Sequence, residues 1–207
     1  MFAQGSRFGE LYVSRALAAC ALALMLALAS CVPTGRININ YQPTLRTPNV
    51  INPTPLPVFV TVIDQRPTQI LGHHVGAFGE KEGDIVTESD IPAVLKRAFE
   101  IELANEGFTI GPGGNNLIVT IAFLQGQYLH PLFHTKVVAS MGIDVTIKSR
   151  TGLILYSAFV LGQSEVTGVE SHIKSQPAEA STALNEATRK AIIDSFDSAF
   201  LAALQRH

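Results

Sequence analysis

The sequence predicts an α+β fold: an antiparallel sheet of about four to five strands packed by two helices, preceded by a signal peptide and a Pro-rich tether. Three observations predict it. In Val137–Lys148 every second residue (Val137, Ala139, Met141, Ile143, Val145, Ile147) is apolar, and Ser140, Asp144, Thr146 and Lys148 oppose them. That period of two belongs to a strand with one wet face. Ile91, Val94, Leu95, Ala98 and Ile101 recur at helical spacing instead. The first 57 residues carry an unbroken apolar run and then six of the eleven prolines.

The apolar run is Ala16–Ala29, flanked upstream by Arg7 and Arg15. Fourteen residues fall short of the ~20 that span a bilayer as a helix, and fit the apolar region of a secretory signal. The run closes on Leu28-Ala29-Ser30-Cys31, which resembles the lipobox of bacterial lipoprotein signals in every position and implies that residues 1–30 are a lipoprotein signal peptide. Small side chains at Ala29 and Ser30 let a signal peptidase reach the backbone before Cys31. The Cys31 thiol takes a diacylglyceryl group as a thioether, and cleavage frees its amine for a further acyl chain. At ~0.8 kcal/mol per buried CH₂, one chain anchors marginally, and two or three hold firmly. Cys20 is discarded with the signal, so the mature chain is expected to hold no disulfide. Val32 follows Cys31; by resemblance to the enterobacterial sorting rule, in which an Asp there retains a lipoprotein in the inner membrane, its absence implies export to the periplasmic face of the cell outer membrane.

Residues 31–57 read as a lipidated tether, because proline lacks an N–H and favours extended, unpaired backbone. Ile37, Ile39 and Tyr41 alternate there, as a short strand against the domain would. Fully extended, 26 such residues reach on the order of 80 Å.

The domain proper is expected over residues 58–207. Val58–Asp64 is β-branched and bounded by prolines, a strand. Residues 68–88, with four glycines, predict a loop or irregular hairpin. Ser89-Asp90-Ile91-Pro92 opens a helix, since Ser89 or Asp90 caps free N–H groups and proline is tolerated in the first turn. Gly107 ends it. Leu117–Tyr128, Val137–Lys148 and Leu153–Val166 are three long strands, the last two joined through the Ser149–Gly152 turn. Pro177–Gln205 reads as one long helix with a stripe of Leu184, Ala187, Ala191, Phe196, Ala199 and Ala203.

In their order and spacing these features resemble the YajG-type family of bacterial lipoproteins. The resemblance rests on the lipobox Cys31, the proline-rich spacer, the strand ending in Asp64-Gln65-Arg66, the helix closed by Gly107-Phe108-Thr109-Ile110-Gly111-Pro112, and Leu117-Ile118-Val119 with Leu124. It implies an envelope lipoprotein with a mixed α/β domain and no established activity.

Composition excludes more than it assigns. The chain has 207 residues, 15% charged, and a formal net charge of −2. Loss of Arg7, Arg15 and Glu10 with the signal leaves −3, no basis for nucleic-acid binding. No metal site is expected: His73 and His74 are adjacent and point apart in a strand, and Pro131 spoils the spacing of His130 and His134. No Gly-x-Ser-x-Gly elbow or phosphate loop occurs, so no enzyme and no cofactor is expected. Asp64 and Arg66 are the candidate binding pair, beside the plainer reading of a turn that ends its strand. The expected partners are membrane lipid through acylated Cys31 and an envelope protein or peptidoglycan. The expected role is a non-catalytic binding or accessory module, with a carrier of lipid or another apolar ligand as the alternative and a hydrolase as a remote one.

Overall fold

The computed structural model describes residues 34–43, 56–75, 80–129, 134–169 and 176–206. The signal peptide, its processing residues Leu28, Ala29 and Ser30, the lipidation residue Cys31, Val32 and His130 lie outside the described residues. In chain order the elements are β1 (Gly35–Ile37), β2 (Val58–Asp64), β3 (Ile70–Val75), β4 (Lys81–Thr87), α1 (Ile91–Asn105), β5 (Asn115–Leu129), β6 (His134–Lys148), β7 (Ile154–Val169), α2 (Gln176–Asp194) and α3 (Ser198–Leu204).

The α+β class holds, with two sheets rather than one. β2-β5-β6-β7 form a four-stranded sheet and β1-β4-β3 a three-stranded one. The larger sheet is mixed, not purely antiparallel, because β2 runs parallel to β5. The chain between them passes through β3, β4 and α1, a connection long enough to bring β5 back in the same direction. β5–β6 and β6–β7 are antiparallel, as their alternation predicts.

The predicted inward set of β6 is fully buried, from Val137 to Ile147. β5 departs from the simple pattern. A bulge between Ile121 and Phe123 shifts its register, so Leu124 and Tyr128 turn inward and Phe123 goes to the outer face. β3 and β4 pair as the irregular hairpin, with register breaks at Ile70/Gly72 and His74/Val75.

The side chain of Asp90 caps α1 by accepting from the Ala93 N–H, Pro92 lies in the first turn, and Gly107 follows the helix at φ +87°. Its buried face is Ile91, Leu95, Ala98, Phe99 and Leu103. Ile101 is only half-buried, whereas Glu102 is buried and accepts a short hydrogen bond from the Tyr41 hydroxyl.

The long C-terminal helix is interrupted. α2 stops at Asp194, and the Asp197 side chain caps α3 by accepting from the Phe200 N–H at 2.6 Å. The break resets the helical phase, so Phe200, Ala203 and Leu204 are buried and Ala199 is exposed. Phe196 stacks on Phe99, and Phe200 meets Tyr156 edge-on, tying the break to α1 and β7. Asn115 Nδ2 donates to the Leu204 and Arg206 carbonyls and secures the end of α3 on the start of β5.

Residues 35–41, inside the segment expected as a tether, pack onto the domain. The packed unit begins at Thr34. β1 pairs parallel with β4, and residues 38–41 form a strap over α1 and α2. Ile37 and Ile39 are buried; the Ile39 N–H donates to Ser89 Oγ and the Asn40 N–H to Asn185 Oδ1. The alternation of Ile37, Ile39 and Tyr41 is therefore the packing signal that proline count alone obscures.

Candidate binding cleft

Asp64 and Arg66, the pair singled out in the sequence, are joined to each other. Arg66 Nε donates to Asp64 Oδ1 at 2.9 Å and Arg66 Nη2 to Oδ2 at 2.7 Å, a bidentate pair. The Arg66 backbone N–H also donates to Asp64 Oδ1, closing the turn that ends β2. The Arg66 hydrogen bonds hold the Asp64 carboxyl below its usual 3.8. The Arg66 side chain is buried, and its Nη1 meets no partner among the described residues. The geometry is that of the turn-locking reading.

Where β2 turns away after Asp64, β3 passes beside β5. A methyl group on Gly72 would fall 2.4 Å from the Gly126 carbonyl oxygen, so only glycine lets the two backbones lie so close. This crossing encloses a half-open cleft of about 380 Å³ on the outer side of the large sheet. Thr68, Ile70 and His73 line one wall; Gln125, Gln127, Val138 and Ser140 line the other. His73 faces the cleft while His74 is buried and stacked on Tyr128, so the adjacent histidines point apart as strand geometry requires. Asp84 accepts from His73 Nδ1 at 2.8 Å and from Lys81 Nζ at 2.9 Å, and these contacts hold its carboxyl below the usual range. Burial, with the Glu179 charge, pushes the Tyr128 hydroxyl well above its ordinary value.

The cleft continues into an aromatic row. Gln125 pairs with Ser140 and Ser140 with Gln163; one step along the same face, Phe123 pairs with Gly142 and Gly142 with Leu161. Phe123 and Phe159 cover Gly142, their centroids 6.3 Å apart. Phe159 is 53% exposed and Leu161 43%, so this face, which carries no helix among the described residues, presents amides and hydroxyls at one end and rings at the other. Phe59 and Ile63 on β2 extend the apolar part.

β7 and α2 pack directly against each other at Gly162. A Cβ there would meet the Ala187 carbonyl oxygen at 2.1 Å and the Ala191 nitrogen at 2.4 Å. Asp64, His74 and Asp144 do not join His73 in the cleft: Asp64 is held by Arg66, His74 faces the interior and Asp144 is exposed on β6. Among the described residues, no group of three or more His, Cys, Asp or Glu side chains comes together to hold a metal. Sequence reasoning missed Gln125, Gln127 and Ser140; the signal was two glutamines flanking Gly126 on the polar side of a strand.

Residues 43–201 match a family described as uncharacterized lipoprotein. The chain belongs to that lipoprotein family. No curated protein matches it. Among solved structures, this lipoprotein is similar to protein XCC0632 from Xanthomonas campestris, at 10% identity and a TM-score of 0.53, covering 84% of this chain and 98% of that one. That likeness is one of fold. A minor lipoprotein from Acinetobacter baumannii is also similar, at 8% identity and a TM-score of 0.44, covering 68% of this chain and 87% of that one. No helix among the described residues is long and apolar enough to cross a membrane.

Proposed function

We propose that this lipoprotein is held by acyl chains on Cys31 at the periplasmic face of the outer membrane and acts there as a non-catalytic binding module. The lipobox Leu28-Ala29-Ser30-Cys31, the Val32 that follows it and the resemblance to the YajG-type family support the anchor and its address. One observation carries the binding role: the amide-lined cleft and the Phe123–Phe159 row lie together on the face of the sheet that carries no helix among the described residues. Neutral donors and acceptors beside exposed rings suit a ligand rich in hydroxyl and amide groups, with C–H faces for the rings. Among envelope components a peptidoglycan strand has that chemistry.

The test is co-sedimentation of the full-length lipoprotein with purified sacculi, alongside cross-linking in the envelope. Binding to sacculi that is lost in Gln125→Ala/Gln127→Ala, with thermal unfolding unchanged, supports the reading. A cross-linked protein in place of sacculi moves the partner class to protein. Recovery of neither above a control without sacculi or cross-linker overturns the binding role. Membrane fractionation of Cys31→Ala tests the anchor separately, since the variant should leave the membrane fraction.

A further inference from the structure

The fold fixes where the chain enters the domain. Gly35 is wedged against His74, since a Cβ on Gly35 would lie 2.1 Å from His74 Nε2. β1 runs parallel to β4, Gly35 opposite Ile85 and Ile37 opposite Thr87, so the chain arrives from the direction in which β4 begins. That is also the end at which β3 finishes, Val75 pairing with Lys81. Stacking of His74 on Tyr128 ties this end to the last residues of β5, and Leu129 pairs with Lys136 at the start of β6. The Ser149–Gly152 turn and the exposed Leu153 and Ile154 lie at the opposite end of β6. From Lys136 to Lys148 at ~3.4 Å per residue, the two ends are about 40 Å apart.

Entry at this end cannot slide. Ile37 and Ile39 are buried, the Asn38 carbonyl accepts from Ser181 Oγ and Asn185 Nδ2, and the Tyr41 hydroxyl is bonded to Glu102. Only residues 32–34 separate Cys31 from Gly35. Four residue steps extend at most about 14 Å.

Resting on the reading of Cys31 as lipidated, we propose that the bilayer surface is a docking partner of one defined end of the domain. This is the end carrying Lys81, Leu129 and Lys136, and the long axis of β6 rises from it. With that end on the bilayer and β6 upright, Arg150, Leu153 and Ile154 stand about 40 Å from the lipid. Leu129 is 39% exposed at the anchored end, a side chain placed to meet the interface. The amide cleft at Gln125 and Gln127 opens within a few residues of the membrane, while the Leu153–Ile154 tip is displayed to the periplasm.

Acylated Cys31 leaves the mature chain without a free thiol, so single cysteines can be introduced and labelled. Full-length lipidated protein carrying Lys81→Cys, Leu129→Cys or Arg150→Cys is labelled with a fluorophore. It is then reconstituted in phosphatidylethanolamine/phosphatidylglycerol vesicles containing a headgroup nitroxide lipid. Flotation with the vesicles is measured first and reports the anchor. Quenching at positions 81 and 129 should exceed that at 150 several-fold. A ten-residue Gly/Ser insertion between Pro33 and Thr34 should bring all three toward the value at 150. Protein that floats while position 150 is quenched as strongly as 81 and 129, or while the insertion changes nothing, overturns the docking proposal and leaves the anchor standing. Protein that does not float overturns both.

Discussion

Gly35 packs against the His74 ring so closely that a methyl group on Gly35 would fall 2.1 Å from His74 Nε2 and 2.9 Å from Cε1. His74 is itself buried against Tyr128, so the ring has little room to retreat. Gly35→Ala should therefore destabilise the domain by about 1–3 kcal/mol, the usual range for overpacking. At ~2–4 °C per kcal/mol for a domain of this size, thermal unfolding should detect it. Adding His74→Ala should cost less in the Gly35→Ala background than in the parent, because the clash is then relieved. Equal costs in both backgrounds would show that the two residues are not coupled.

Gly162 meets backbone rather than a side chain, and backbone cannot swing away. Its missing Cβ leaves room for the Ala187 carbonyl and the Ala191 nitrogen of α2. Gly162→Ala should be the more damaging of the two glycine changes, at about 3 kcal/mol or more, since α2 must lift from β7. Gly152→Ala has open space around its Cβ but sits at φ +88°, so its cost should come from backbone strain alone, about 1–2 kcal/mol. Denaturant midpoints for the two variants should separate these mechanisms; a milder effect at position 162 than at 152 would contradict the close helix–strand contact.

What the residues disclosed in advance was whatever depends on local period and capping. Val137–Ile147 alternate because one face is buried, and Asp90 and Gly107 bracket α1 because free N–H groups and a left-handed residue are needed there. Long-range pairing was not legible in the same way. The parallel partnership of β2 with β5 depends on where α1 leaves the chain, and the Ile121/Phe123 bulge turns Phe123 outward against the sequence alternation. The break before α3 was hidden because Asp197 lies in a run whose neighbours all tolerate helix, and its cap is visible only beside the Phe200 N–H. The cleft escaped for a related reason. Gln125, Gln127 and Ser140 are ordinary outward residues of their strands, and only β3 crossing at Gly72 makes them one wall of a cavity.

Asp197 carries that helix break. Its side chain accepts from the Phe200 N–H at 2.6 Å, and Tyr156 Oη donates to its second oxygen at 3.3 Å. Asp197→Ala should cost about 1 kcal/mol, the typical loss for an N-cap, and Asp197→Asn should recover most of it. Urea unfolding of the three proteins checks this; equal stability of the Ala variant and the parent would mean that α3 is held by Phe200 and Leu204 alone.

Asp64 offers a pH signature. Hydrogen bonds from Arg66 lower its carboxyl below the ordinary 3.8. The folded state therefore holds the Asp64 proton less tightly than the unfolded state does. The resulting stability is fully present above the unfolded carboxyl value and is lost as pH falls through the lower folded value. Asp84 and Glu186 are lowered too, by Lys81 and His73 and by Arg189, so the whole protein's acid sensitivity does not isolate one pair. The comparison of parent with Asp64→Asn does. The Asn variant should melt lower by a constant amount between pH 5 and pH 8, and the gap should close as pH drops below about 4. The two proteins differ only in the Asp64 carboxyl, so the closing gap reports that group alone. A gap that stays constant down to the acid limit of folding would mean that the folded and unfolded states hold the Asp64 proton equally, and that the charge pairing with Arg66 contributes nothing to the turn that ends β2.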